Sequence, residues 1–203
     1  MTNETLGKLQ STDDEQWLQS YYLLRAAVAG VWVGAAFVFA TNVPVLAAAL
    51  LLIYPAWDAA ANIVDARRHG GAKANPTQTL NAVVSILTTI AVGVALAVSM
   101  HAVLGVFGVW ATLAGLFQLA TAVRRWKSRG AQWAMILSGG QSMLVGVMFI
   151  RQASAAAIPG IGDIAPYAAF GSFYFLISAV WLAALVARHR RVRPTAGRIR
   201  VTK

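Results

Sequence analysis

The chain contains no cysteine, which excludes disulfides, thiolate metal sites and thiol nucleophiles. Charge is scarce: charged residues make up 12% of the 203 positions, about half the share of a soluble domain. Of these, 17 are lysine or arginine and only 7 are acidic. Patterns that carry chemistry are missing as well. No phosphate-cradling P-loop is present, no histidine and carboxylate stand at metal-ligand spacing, and no Ser-His-Asp set falls on one side of a membrane. Gly160-Ile161-Gly162, beside Pro159, reads as a turn and not as a nucleotide motif. The sequence therefore assigns no catalytic residue, no cofactor and no metal.

What fills the chain instead is hydrocarbon. Hydrophobic residues make up 58% of it, and the mean hydropathy is +0.61. They gather into six runs of about twenty residues, the length a helix needs to cross roughly 30 Å of bilayer core. The runs are Tyr21 to Ala40, Pro44 to Val64, Thr79 to Val98, Ala102 to Val123, Trp133 to Ile150 and Tyr167 to Ala187. Val38-Phe39-Ala40 has the small-residue look of a signal cleavage site, but Glu4, Asp13, Asp14 and Glu15 precede the first run, where a leader needs positive charge. The first run is thus expected to stay as a span.

The net charge of +10 acquires its meaning from position. Arg67, Arg68 and Lys73 fall between runs two and three, Arg124, Arg125, Lys127 and Arg129 between four and five, and Arg188, Arg190, Arg191 and Arg193 after the sixth. The alternate connections, Thr41 to Val43, Ser99 to His101 and Arg151 to Pro166, hold a single arginine. The positive-inside rule then places both termini and the two arginine-rich loops in the cytoplasm. Topology accounts for the basic residues, so nucleic acid is not the expected partner. The basic end is expected to lie against anionic lipid headgroups, each residue contributing on the order of 1 kcal/mol. Thr12-Asp13-Asp14-Glu15 has capping-box spacing, which predicts a helix starting near Asp13.

The chain also repeats. A shift of 56 positions lays Arg25 on Asn81, Tyr54 on Trp110, Ala59 on Gly115, Asn62 on Gln118 and Arg68 on Arg124. A further shift of 63 lays Gly108 on Gly171, Trp110 on Phe173, Gly115 on Ser178 and Arg125 on Arg188. Each copy is a helical hairpin whose second helix carries an aromatic, then a small residue, then arginine. The expected organisation is a cytoplasmic segment 1–20, a six-helix domain 21–188 with repeats at about 21–68, 79–125 and 133–188, and a basic tail 189–203.

Tyr54-Pro55-Ala56-Trp57-Asp58-Ala59, Trp110-Ala111-Thr112-Leu113-Ala114-Gly115 and Phe173-Tyr174-Phe175-Leu176-Ile177-Ser178 resemble the aromatic-to-small segment of the HdeD-like acid-resistance membrane proteins. The likeness spans roughly residues 20 to 190 and departs in the third copy, where no acidic residue follows the aromatic and the outer connection is longer. The resemblance implies a six-helix inner-membrane protein linked to acid or other stress, with no defined reaction.

Small-residue spacing independently suggests close helix packing. Span one carries Ala26, Gly30 and Gly34, span four Ala111 and Gly115, and span five Ser138, Ser142 and Gly146, each set at four-residue steps. The faces are expected to pack within the monomer; Gly30 and Gly34 could instead serve a homodimer or another membrane protein. Pro55 should kink span two, whereas Pro44 and Pro166 suit first turns, where the missing N–H is not needed.

Few polar groups lie at membrane depth, and each needs a reason. Asp58, Asn62 and Asp65 share one face of span two. Helical rise puts Arg25 near the depth of Asn62, so a pair with Asp58 or Asp65 is geometrically reasonable; Arg25 could also reach the interface by itself. The second copy has the neutral Asn81 and Gln118 at the matching positions. Gln141 sits mid-span beside Ser138 and Ser142 and suits a bond between helices. His101 falls in an outer turn, where an imidazole gains its proton under mild acid. The sequence thus reads as an all-α, non-catalytic, multi-pass inner-membrane protein with a structural or stress-protective role. The alternative is a small transporter or proton-coupled channel using Asp58, Arg25 and Gln141, but parallel hairpin copies differ from the inverted repeats of alternating access.

Overall fold

A computed structural model describes residues 3–124 and 132–191. Six helices follow one another: α1 (Asn3–Ala35), α2 (Pro44–Arg68), α3 (Pro76–Leu96), α4 (Met100–Arg124), α5 (Gln132–Gln152) and α6 (Ile161–Arg191). A π-helical turn, Ala36–Ala40, extends α1, and no strand occurs among the described residues. Five of the helical segments are long and apolar enough to cross a membrane: Gln16–Ala40, Pro44–Arg68, Pro76–Leu96, Met100–Ala120 and Ile161–Ala184. The chain is therefore a multi-pass membrane protein by length and composition. The sixth apolar run coincides with α5, which is helical but is not among those five.

The helix ends follow local chemistry. Pro44 opens α2 from the extended Val43, and Pro76 opens α3, positions where a missing N–H costs nothing. At the end of α2, Gly70 and Gly71 take φ of +98° and +85°, and the Gly71 N–H reaches back to the Ala66 carbonyl at 2.8 Å, a glycine-dependent stop. Ser99 Oγ accepts from the Ala102 N–H at 3.1 Å and caps α4. Asp163 Oδ2 accepts from the Gly160 N–H at 2.7 Å, closing the first turn of α6.

Four expectations need correction. The acidic capping box does not begin α1, which starts at Asn3; Glu4, Leu6, Lys8 and Leu9 carry adequate helix propensity and extend it. The outer connection after α5 is shorter than Arg151 to Pro166, because α5 runs to Gln152 and α6 starts at Ile161. Pro166 consequently lies inside α6, beyond the first turn. His101 likewise lies in the first turn of α4 and not in the turn before it.

The fold divides into two compact units, Met1–Val28 with Ser172–Lys203, and Ala29–Gly171. In the larger unit Leu51, Val92, Val103, Leu104, Phe107 and Ile164 are fully enclosed, and Trp32, Trp110 and Phe149 join the same core. Apolar side chains such as Val31, Val45, Ile90 and Val98 point outward, the surface expected of helices solvated by lipid. The tightest helix contact is made by α4 and α5. A Cβ on Gly115 would stand 2.5 Å from the Gly139 carbonyl, and one on Gly146 would stand 2.6 Å from the Gly108 carbonyl. Glycines seven apart on each helix thus meet in antiparallel register and let the backbones touch. Gly115 and Gly146 belong to this contact, with Gly108 and Gly139 as unforeseen partners, and Ser142 Oγ accepts from Tyr167 Oη of α6 at 3.4 Å. Gly30 and Gly34 are exposed, and a Cβ on Gly34 would meet nothing within 4 Å.

Candidate functional site: a buried hydrogen-bond chain at Asp58

Asp58 lies on α2 about 20 Å from its Pro44 end, well inside the span. Two side chains donate to its Oδ2 carboxylate oxygen. Asn62 Nδ2, one turn on, reaches it at 3.0 Å and also reaches the Asp58 carbonyl at 2.8 Å. Ser85 Oγ of α3 donates at 2.8 Å. The Ser85 hydroxyl in turn accepts from Trp110 Nε1 of α4 at 3.0 Å. Asn62, Ser85 and Trp110 are all buried, Ser85 to 1% exposure, so their polar groups depend on these bonds.

The direction of the chain is fixed by chemistry. An indole N–H can only donate. Trp110 therefore occupies an acceptor lone pair of Ser85 and commits the hydroxyl proton to Asp58. Asn62 adds its amide proton to the same oxygen. Three donors on three successive helices converge, directly or through Ser85, on one carboxylate, a charge-assisted arrangement stronger than neutral pairs. Aromatic rings wall it: Tyr54 packs edge-on to Trp110 at 5.6 Å, and Trp110 contacts Phe107 and Tyr167 in the same way. Tyr54 also lies 4.7 Å from the ring of Trp32, whose Nε1 donates to the Leu50 carbonyl at 2.8 Å. The aromatics equivalent in copies one and two, Tyr54 and Trp110, thus touch each other. Phe173 of copy three is exposed and meets the Tyr174 ring edge-on.

Residues 80–151 match the model of a short repeat of unknown function, DUF308. No curated protein and no solved structure matches the chain. The DUF308-like stretch takes in nearly all of α3 and all of α4 and α5 down to Arg151. It contains Ser85, Trp110 and the four glycines of the α4–α5 contact, but not Asp58.

The other polar residues are distributed more widely. Arg25 lies in the smaller unit, where Nη1 donates to Tyr21 Oη at 3.0 Å and the guanidinium stands 4.3 Å over the Phe175 ring. Asp65 Oδ1 lies 2.9 Å from His69 Nδ1 near the end of α2. Asn81, Gln118 and Gln141 are half-buried on α3, α4 and α5. His101 Nε2 donates to the Ala155 and Ala157 carbonyls at 3.0 and 3.1 Å, tying α4 to the outer α5–α6 connection. Among the topology residues, Arg67 and Arg68 are exposed at the end of α2. Arg124, Arg188, Arg190 and Arg191 lie on the last turns of α4 and α6. Arg125 and Arg193 lie outside the described residues. Among those described, no group of three or more His, Cys, Asp or Glu could hold a metal. Sequence reasoning passed over Ser85 and Trp110 as partners of Asp58. The available signal was Ser85 with Thr88, two hydroxyls at helical spacing on one face of an apolar run.

Proposed function

We propose that this chain is a non-catalytic, HdeD-like protein of a bacterial inner membrane, with both termini in the cytoplasm and a structural or stress-protective role. The matched repeat family is the one to which HdeD-like proteins belong. The six apolar runs of the sequence, with basic residues at alternate connections, support the orientation. Lipid is the principal partner, anionic at the cytoplasmic face.

The observation that carries the non-transport reading is the direction of the chain at Asp58. A proton path needs groups that accept a proton on one side and release it on the other. Trp110 can only donate, so the run Trp110 to Ser85 to Asp58 ends at an indole and has no continuation through it. A cation would need the oxygens of Asn62 and Ser85, yet both residues present hydrogens to the carboxylate. The chain instead fastens α2, α3 and α4 at mid-depth. Purified protein reconstituted with a pH-sensitive dye tests this reading. Wild type and Asp58→Asn should show the same proton leak as empty liposomes, while Asp58→Asn unfolds at lower temperature. Proton flux in wild type that Asp58→Asn abolishes, without loss of stability, overturns it in favour of a proton-coupled channel.

A further inference from the structure

The acidic triplet Asp13-Asp14-Glu15 loses its expected role once α1 starts at Asn3, since it now lies some three turns inside a helix. In the smaller unit α6 runs beside α1. There Ser172 Oγ donates to the Ala26 carbonyl at 2.8 Å, the Phe175 and Tyr22 rings lie 5.9 Å apart, and Arg25 sits over Phe175. Rising numbers on α6 meet falling numbers on α1, so the helices run antiparallel. From the Ser172–Ala26 contact, α1 travels about 15 Å to the end of its apolar segment at Gln16, and α6 about 18 Å to the end of its own at Ala184. The two helices therefore leave the apolar zone at nearly the same height. Just beyond, α1 carries Asp13, Asp14 and Glu15, and α6 carries Arg188, Arg190 and Arg191. Arg190 lies five turns from Ser172 and so shares the face of α6 that meets α1, and its height differs from that of Asp14 by about 9 Å.

We infer that the acidic turn of α1 is an internal competitor of anionic phospholipid for the basic end of α6. Both ligands offer the same chemistry to a guanidinium, a pair of anionic oxygens. The internal one is tethered at a fixed height, which gives it a high effective concentration; the lipid is present at the concentration of the leaflet. In a leaflet poor in anionic lipid the two helix ends hold each other. Enrichment in anionic lipid draws the arginines to the phosphates and releases the acidic turn. The inference rests on the lipid contact proposed above for the basic end.

The full chain in nanodiscs tests it. Because cysteine is absent, Gln10→Cys with Ala187→Cys places two spin labels and no others. In purely zwitterionic lipid the label distance should be short and narrow. It should lengthen and broaden in 0.5 M salt, which needs no substitution, and in the triple variant Asp13→Asn, Asp14→Asn, Glu15→Gln. Phosphatidylglycerol should lengthen it in the wild-type background, and the triple variant should retain several-fold more of that lipid on purification. A distance unchanged by both salt and the triple variant overturns the competition. Phosphatidylglycerol retained by neither chain, with the distance still salt-sensitive, overturns the lipid contact and the competition with it, leaving only a pairing of helix ends.

Discussion

Replacing Gly115 by alanine adds one methyl group, and the α4–α5 contact has no room for it. The new Cβ would stand 2.5 Å from the Gly139 carbonyl oxygen and 2.8 Å from both the Met143 amide nitrogen and its Cγ. Two of those three atoms are helix backbone and cannot rotate away. Unstrained contacts of this kind lie near 3.5–4.0 Å, so the helices must part locally by roughly 1 Å. Parting them weakens the neighbouring Gly108–Gly146 contact too, because both lie on one seam. Overpacking of this sort costs about 1–3 kcal/mol, and lipid offers no hydrophobic gain to offset it. Against this stands the better helix propensity of alanine, close to 1 kcal/mol in water. Gly140 isolates that term, since a Cβ there meets nothing within 4 Å. Thermal unfolding in detergent, followed by tryptophan emission, should show Gly140→Ala at or slightly above the wild-type Tm. Gly115→Ala should fall below wild type by roughly 3–10 °C, on the scaling for chains of this length. Equal Tm values for the two variants would refute the backbone contact.

Ser85→Ala should destabilise by about 1–3 kcal/mol, because it strands the Trp110 indole and removes one donor from Asp58. Adding Trp110→Phe to it should then cost less than in the wild-type background, and a double-mutant cycle read by chemical unfolding checks that coupling. His101→Phe removes the tie to the Ala155 and Ala157 carbonyls; amide exchange across residues 153–160 should quicken while exchange in α2 and α3 stays unchanged.

Helix content and order were legible because they depend on quantities read along one dimension: runs of about twenty apolar residues and, at Pro44, proline at a helix start. Which face of a helix meets which neighbour depends on rotation about its axis, and apolar runs constrain that poorly when the outside is also hydrocarbon. That is why the donors to Asp58 from α3 and, through Ser85, from α4 could not be read from the sequence. It is also why Gly115 and Gly146 were assigned to packing without their partners Gly139 and Gly108. The start of α1 was misplaced for a different reason, since Thr12-Asp13-Asp14-Glu15 satisfies a cap pattern that only the conformation of the preceding residues can validate. The α5–α6 connection is shorter than the apolar runs suggest because the Gly160 N–H pairs with Asp163 and starts α6 six residues before the apolar run at Tyr167.

The facing glycines of α4 and α5 also limit how the sequence can vary. Most core contacts drift in pairs, one side chain growing while its neighbour shrinks. Glycine is already the smallest residue, so neither Gly108 nor Gly146 can give way for a change in the other, and the same holds for Gly115 and Gly139. Related chains that keep this seam should therefore keep all four positions together and show no correlated exchange among them. Where one is lost, the helices must have moved apart, and the remaining three should be free to vary.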